Sequence, residues 1–213
     1  MLFEDWGLID YQSALSRQLQ YVEVVYTTPE HPGFLIFCKH PAVVTVGRQT
    51  LPEDVFSWVG PVIEVSRGGR ATYHGPSQRV VYPIVNLKNP RQGRGSQEIR
   101  GFIRGLEQAI ILTLKSFEIE SHGKTQVDSE NNLSDTGVWI DDKKIASLGI
   151  AVKHWISFHG AAINIAADKD AFQGLNPCGY SSSIMTSVEQ VLGREINNVQ
   201  FDEILKSNCL NLL

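Results

Sequence analysis

A lysine and a cysteine frame the stretch of this chain best suited to covalent chemistry. Lys144 leads the apolar, strand-like run KIASLGIAV, and Cys178 lies between Pro177 and Gly179 at the far end of the segment. Thiolate is the nucleophilic form of cysteine, and a nearby cation favours it by lowering the thiol pKa. Lysine can supply that cation, and because burial lowers its own pKa it can also act as a base. Together the two would make a centre for covalent acyl transfer. The sequence shows that both residues exist, not that they touch.

RGGRATYHGPSQ, starting at Arg67, is the second informative stretch. Adjacent glycines after a strand let backbone approach a ligand closely, or simply form a bulge or turn. Their spacing matches neither a phosphate loop nor a dinucleotide fingerprint. His74 is able to hydrogen-bond, to act as acid or base, or to serve structure alone; His40 and His159 carry the same ambiguity.

The length of 213 residues fits one large domain or two small ones, and 42% hydrophobic content supports a real core. MLFEDWGLID lacks a secretory pattern, and no apolar run is long enough to cross a bilayer, so a soluble cytoplasmic protein is expected, with no membrane association. Three scattered cysteines argue against a disulfide framework and a zinc site, so no metal is expected. Cys38 in FLIFC reads as a small buried hydrophobe, and Cys209 as part of a frayed C-terminal turn. A net charge of −4 disfavours general nucleic-acid binding. Residues 67–104 nevertheless hold eight basic residues against the single acid Glu98, either a belt that steers an acidic partner or a solvated face.

The elements that must position these residues are legible in part. Asp10 is a suitable N-cap for a helix using Tyr11, Ala14, Leu15 and Leu19. FLIFC, VVTVG and VIEV read as strands, and Pro83 inside RVVYPIVNL favours an edge or a bulge there. Ile99, Phe102, Ile103, Leu106, Ile110, Leu114 and Phe117 form one helical stripe, with Ser96 as its cap. Residues 118–136 read as a long loop. GVWID and IASLGIAV form a hairpin, and HWISFHGAAINI follows as a third strand. Thr186 and Glu189 fit a capping box for a short helix through Leu192, and a last helix starts near Asn198. Strands grouped around one long helix, without βαβ alternation, indicate α+β with a mixed or antiparallel sheet flanked by helices, and nothing divides residues 1–213 into separate domains.

The ordered blocks KHPAVVTVGR, RGGRATYHGPSQRVVYPIVNL, GVWIDDKKIASLGIAV, SFHGAAINI and NPCGY resemble the octanoyltransferase family of lipoate biosynthesis over about residues 34–187. The resemblance implies the biotin/lipoate-protein ligase catalytic fold, with Cys178 as the acyl-thioester nucleophile and Lys144 as general acid/base and stabiliser of the thiolate. It implies transfer of an octanoyl group from octanoyl-acyl-carrier-protein to a lysine of an apo lipoyl domain, with no cofactor. The acceptors implied are the lipoyl domains of 2-oxoacid dehydrogenase E2 subunits and the glycine cleavage H protein. Substrate contacts are implied at Arg67, Gly68, Gly69, Arg70, Ala71, Thr72, Tyr73, His74 and Gly75, and at Ser147, Leu148, Gly149, His159, Gly160 and Ala161. Two positions depart from the family pattern, which has Gln where this chain has Arg70 and Gly where it has Ser77. The first adds charge at the cleft rim and bears on carrier docking; the second puts the turn geometry in question.

Two other readings stand beside this one. An ATP-dependent lipoate or biotin ligase would share the fold, and RQGRGS loosely matches the Gly/Arg loop of biotin ligases, but such an enzyme needs no cysteine nucleophile. A non-catalytic lipoyl-domain or carrier-binding module would keep the fold without the reaction.

Overall fold

The computed structural model describes residues 1–91, 93–125 and 136–213, with Cys178 described by its backbone alone. Strands β1 (Leu2–Leu8), β2 (Phe34–Lys39), β6 (Gln78–Ile84), β7 (His122–Gly123), β8 (Gly137–Ile140), β9 (Lys143–Lys153) and β10 (Ile156–Asn164) form one sheet among the described residues. Their order is β1-β2-β6-β10-β9-β8-β7. The β1–β2 pair is parallel and the other neighbours are antiparallel. A smaller sheet holds β3 (Val43–Val46) between β4 (Val62–Glu64) and β5 (Thr72–His74). The architecture is α+β with a mixed sheet.

Helices cover both faces of the large sheet. On one face α2 (Ile99–Lys115) and α4 (Asn198–Leu212) bury Phe102, Leu106, Ile110, Leu114, Phe201 and Leu205 against Leu35, Val81, Ile145 and Ile163. On the other, α1 (Tyr11–Thr27) packs Ala14, Val22 and Val25 against Ile36, Val80, Tyr82 and Phe158. Because β6 is covered on both sides, it reads as a continuous apolar run rather than an alternating one. Each large core side chain contributes about 1.5–3 kcal/mol by burial.

Several local expectations need correction. β6 is an interior strand, so Pro83 is not at an edge; its β10 ladder ends at the Val81–Ala161 pair, where the missing N–H is not needed, and Ser157 Oγ donates to Pro83 O at 2.7 Å. Cys209 is wholly buried in α4, not in a frayed turn. α2 is capped at Glu98, not Ser96, whose hydroxyl instead donates to Lys88 O at 2.7 Å. α3 (Val188–Leu192) is capped by Ser187, one residue after Thr186. His154 and Trp155 belong to the β9–β10 turn rather than to a strand, with φ of 55° and 65°. Within the stretch 118–136, His122–Gly123 pair with β8, while residues 126–135 lie outside the described residues.

β1 was not foreseen. Its side chains are mostly exposed, so no buried period betrays it, yet it pairs with β2 from Leu2–Phe34 onward.

Candidate active site

Lys144 owes its position to an irregularity in β9. Val138 pairs with Ala146 and Trp139 with Lys144, so one extra residue, Ile145, is accommodated in β9. Ile145 and Ala146 consequently both enter the same core cluster, and Lys144 is turned to the opposite face, that of Ser147. Lys144 is fully buried, whereas Lys143 is exposed and donates to Ser183 O at 2.9 Å. The Lys144 ammonium lies 5.2 Å from the Trp139 ring centroid. Gly137 makes this possible: a Cβ there would stand 2.6 Å from Lys144 Cε and 2.4 Å from Ala146 O.

The segment carrying Cys178 packs against Trp139 through Tyr180. Pro177–Gly179 form a 3-10 turn, closed by Tyr180 N donating to Pro177 O at 3.1 Å. Thr186 N donates to Lys144 O at 3.0 Å just beyond it, and Tyr180 packs edge-on to Trp139 at 5.9 Å. Trp139 therefore contacts both Lys144 and the residue two positions after Cys178. Upstream, Asn176 N donates to Asp54 O at 2.9 Å. The Cys178 side chain lies outside the description.

A cavity with about 480 Å³ of empty space, its open mouth included, runs along the Ser147 face of the sheet. Of the expected contact residues, Arg67, Gly69, Arg70, Thr72, His74, Ser147, Leu148, Gly149, His159, Gly160 and Ala161 line it. Four do not. Gly68 opens on an adjoining cleft, and Ala71 is buried in the core. Tyr73 packs with Val44, Phe172 and Leu175, its hydroxyl donating to Asp168 at 3.3 Å. Gly75 lies directly beneath that ring, where a Cβ would fall 2.1 Å from Tyr73 Oη. Tyr11, Val80, Tyr82, Thr136 and Ala162 line the cavity without having been expected. Val80, Tyr82 and Ala162 lie inside the quoted blocks and Thr136 borders one, but Tyr11 lies outside them all; the docking of α1 brings it in.

Three buried histidines surround Tyr11. Its ring lies 5.0 Å from His40 and 5.4 Å from His74, and its hydroxyl is 3.2 Å from His159 Nδ1. Burial lowers His40, lowers His74 well below the usual imidazole range and lowers His159 to about 3, so the imidazoles of His74 and His159 are neutral at pH 7. Burial raises Tyr11 to about 12. His159 has φ of 57°, and its N–H is received by the buried Gln18 Oε1 at 2.8 Å. Gly160 is required beside it, since a Cβ would lie 2.0 Å from Val81 O.

The two departures from the family pattern have local explanations. Arg70 points inward rather than adding charge at the rim: Nε and Nη2 bond the fully buried Asp54 at 2.9 and 2.5 Å, and the guanidinium lies against Gly179. Ser77 donates to Asp168 at 2.9 Å without a positive φ, so its turn is ordinary. The basic belt is likewise not one solvated surface. Arg67 and Arg94 are buried on backbone carbonyls, and Arg79 is buried on Asp202. Lys88, Arg91 and Arg100 are left exposed.

The fold and this cavity define a known class: the chain belongs to the lipoyl protein ligase A/B catalytic domain family, which matches residues 10–209. It is 51% identical to an octanoyltransferase of Bdellovibrio bacteriovorus, over 100% of this chain and 99% of that protein. It is 37% identical to one from Rickettsia canadensis, over 94% and 93%. Among solved structures, it superposes on lipoate-protein ligase A bound with ATP with a TM-score of 0.68 at 16% identity, covering 97% of this chain and 82% of that one. The Aquifex aeolicus biotin protein ligase in complex with biotin and ATP gives 0.55 at 11%, covering 98% and 70%.

Proposed function

We propose that the chain, acting as one catalytic unit, transfers an octanoyl group from an acyl-carrier-protein thioester to a lysine of an apo lipoyl domain. The observation that supports this reading is a wholly buried lysine whose ammonium lies 5.2 Å from the Trp139 ring centroid, the same ring that Tyr180 packs against. The names of its relatives supply the acyl group.

Cys178 thiolate attacks the donor carbonyl; a new C–S bond forms as the C–S bond to the carrier thiol breaks. Lys144 gives the departing thiolate its proton. The acceptor amine then attacks the acyl-cysteine, forming the amide and returning the thiolate, while Lys144 takes the amine's proton. Exchange of thioester for thioester is nearly balanced and amide formation is downhill, so no nucleotide is needed. Lys88, Arg91 and Arg100 give an acidic carrier or lipoyl domain a landing surface.

The test supplies the purified chain with apo lipoyl domain and either octanoyl-carrier protein alone or octanoate with ATP. Octanoylated lipoyl domain is expected from the thioester alone. Product only from octanoate and ATP would make it a ligase, and product from neither would favour the binding module.

A further inference from the structure

Helix α2 carries one buried charge. Glu107 sits beside the apolar stripe, outside every block that carries the family resemblance, and is 3% exposed. A buried carboxylate is costly unless it is hydrogen-bonded, and an apolar residue of similar volume would serve packing at least as well. Among the described residues Glu107 forms no ion pair. Its Oε1 instead receives Gly137 N at 3.1 Å, Thr125 N at 3.3 Å and Thr125 Oγ1 at 2.8 Å. Burial raises its pKa, and these bonds oppose the rise. β7 lies flush against the other oxygen, since a Cβ at Gly123 would stand 2.7 Å from Oε2.

What Glu107 holds is the residue on which Lys144 rests. The space a Cβ would take at Gly137 is filled by Lys144, whose Cε and Nζ lie 2.6 and 3.4 Å from that position. The lysine side chain therefore runs directly over the Gly137 Cα, and a shift of this one residue shifts the ammonium. Gly137 opens β8 with φ of 152°, and β9 approaches it from one side through its pairing with Ser147. On the other side, Lys124 N donates to Gly137 O at 3.4 Å, a long bond. The shorter contact, and the one that fixes the first N–H of the strand, is the Glu107 carboxylate.

We propose that Glu107 is a positioning residue for acyl transfer: by pinning the Gly137 N–H it holds the backbone over which Lys144 lies, and so sets where the ammonium stands. This rests on the acyl-transfer reading above. Glu107 acts through Gly137 and touches no reacting atom, and its acceptor oxygen matters more than its charge. Loss of that oxygen leaves the buried Gly137 N–H unsatisfied and frees the start of β8 to move. A proton-transfer group displaced by a fraction of its reach loses most of its effect, so the chemical step should suffer rather than carrier binding.

The test measures octanoyl transfer from carrier protein in Glu107 variants of the full chain. Glu107→Leu should lower kcat by about 30-fold with KM for octanoyl-carrier protein within about twofold, and Glu107→Gln, which keeps the acceptor oxygen, should stay within about fivefold of the unaltered kcat. Glu107→Asp keeps the charge but draws the carboxylate back by one methylene; it should lose about tenfold, and it decides the matter if the leucine variant does not fold. Thr125→Val removes a different donor to the same oxygen and should leave kcat unchanged. Full activity in both Glu107→Leu and Glu107→Asp, or a glutamine variant as slow as the leucine one, overturns the proposal. Amide exchange at Gly137 reads the clamp without transfer: slow exchange in the unaltered protein that becomes fast in Glu107→Asp supports it, and fast exchange in the unaltered protein refutes it. If the unaltered protein transfers no octanoyl group, the acyl-transfer reading falls, and the exchange still decides whether Glu107 holds Gly137.

Discussion

Mild acid should destabilise this protein through histidines rather than carboxylates. His74 and His159 are buried with folded pKa values far below the ordinary imidazole value of 6.5, the second at about 3. The unfolded chain binds protons at these sites from about pH 6.5 downward, while the native state does not until near the folded value, so their stabilisation is complete above 6.5 and is lost as pH falls. At about pH 5.5 each unfolded imidazole gains roughly 1.4 kcal/mol from protonation, against about 0.2 at pH 7, so the pair removes about 2.5 kcal/mol. That is a large share of a typical domain's 5–15 kcal/mol. Urea titrations at the two pH values measure the difference directly. His159→Asn, which tolerates the left-handed backbone there, should cut the drop by about half. A midpoint independent of pH, or an unaltered drop in His159→Asn, would refute the burial of neutral imidazoles.

Three further outcomes follow from side-chain placement. Gly137→Ala should displace Lys144 and reduce cysteine acylation by about 100-fold, read by single-turnover kinetics, since its Cβ would meet Lys144 Cε at 2.6 Å. Arg70→Gln should cost about 2–3 kcal/mol in urea unfolding by leaving the buried Asp54 carboxylate without its cation, and adding Asp54→Asn should recover part of it. Reversing the charge at Arg91 and Arg100 together should weaken apparent carrier affinity by about tenfold at low salt, with the difference fading in high salt.

Features written in local periodicity are legible in the sequence. The α2 stripe, the Asp10 cap and the hairpin around Asp141 follow from residue type and spacing alone. What escaped depends on contacts between distant segments. The solvent-exposed β1 has no buried period, and Pro83 is tolerated inside the sheet only because β10 departs from β6 there. Arg67, Arg79 and Arg94 look like surface charge in sequence, yet each has a partner brought by another segment or a loop closing on itself. The extra residue at Ile145 that turns Lys144 to the Ser147 face of the sheet is invisible in a run of apolar letters. Tyr11 joins the site through helix docking.

Intact-protein and peptide mass spectrometry after brief mixing with octanoyl-carrier protein, without acceptor, bears most directly on the proposed chemistry. An octanoyl adduct on Cys178, absent in Cys178→Ser and discharged by apo lipoyl domain, is the expected result. A protein that transfers the acyl group with Cys178 never modified, or with Cys178→Ser fully active, would contradict it.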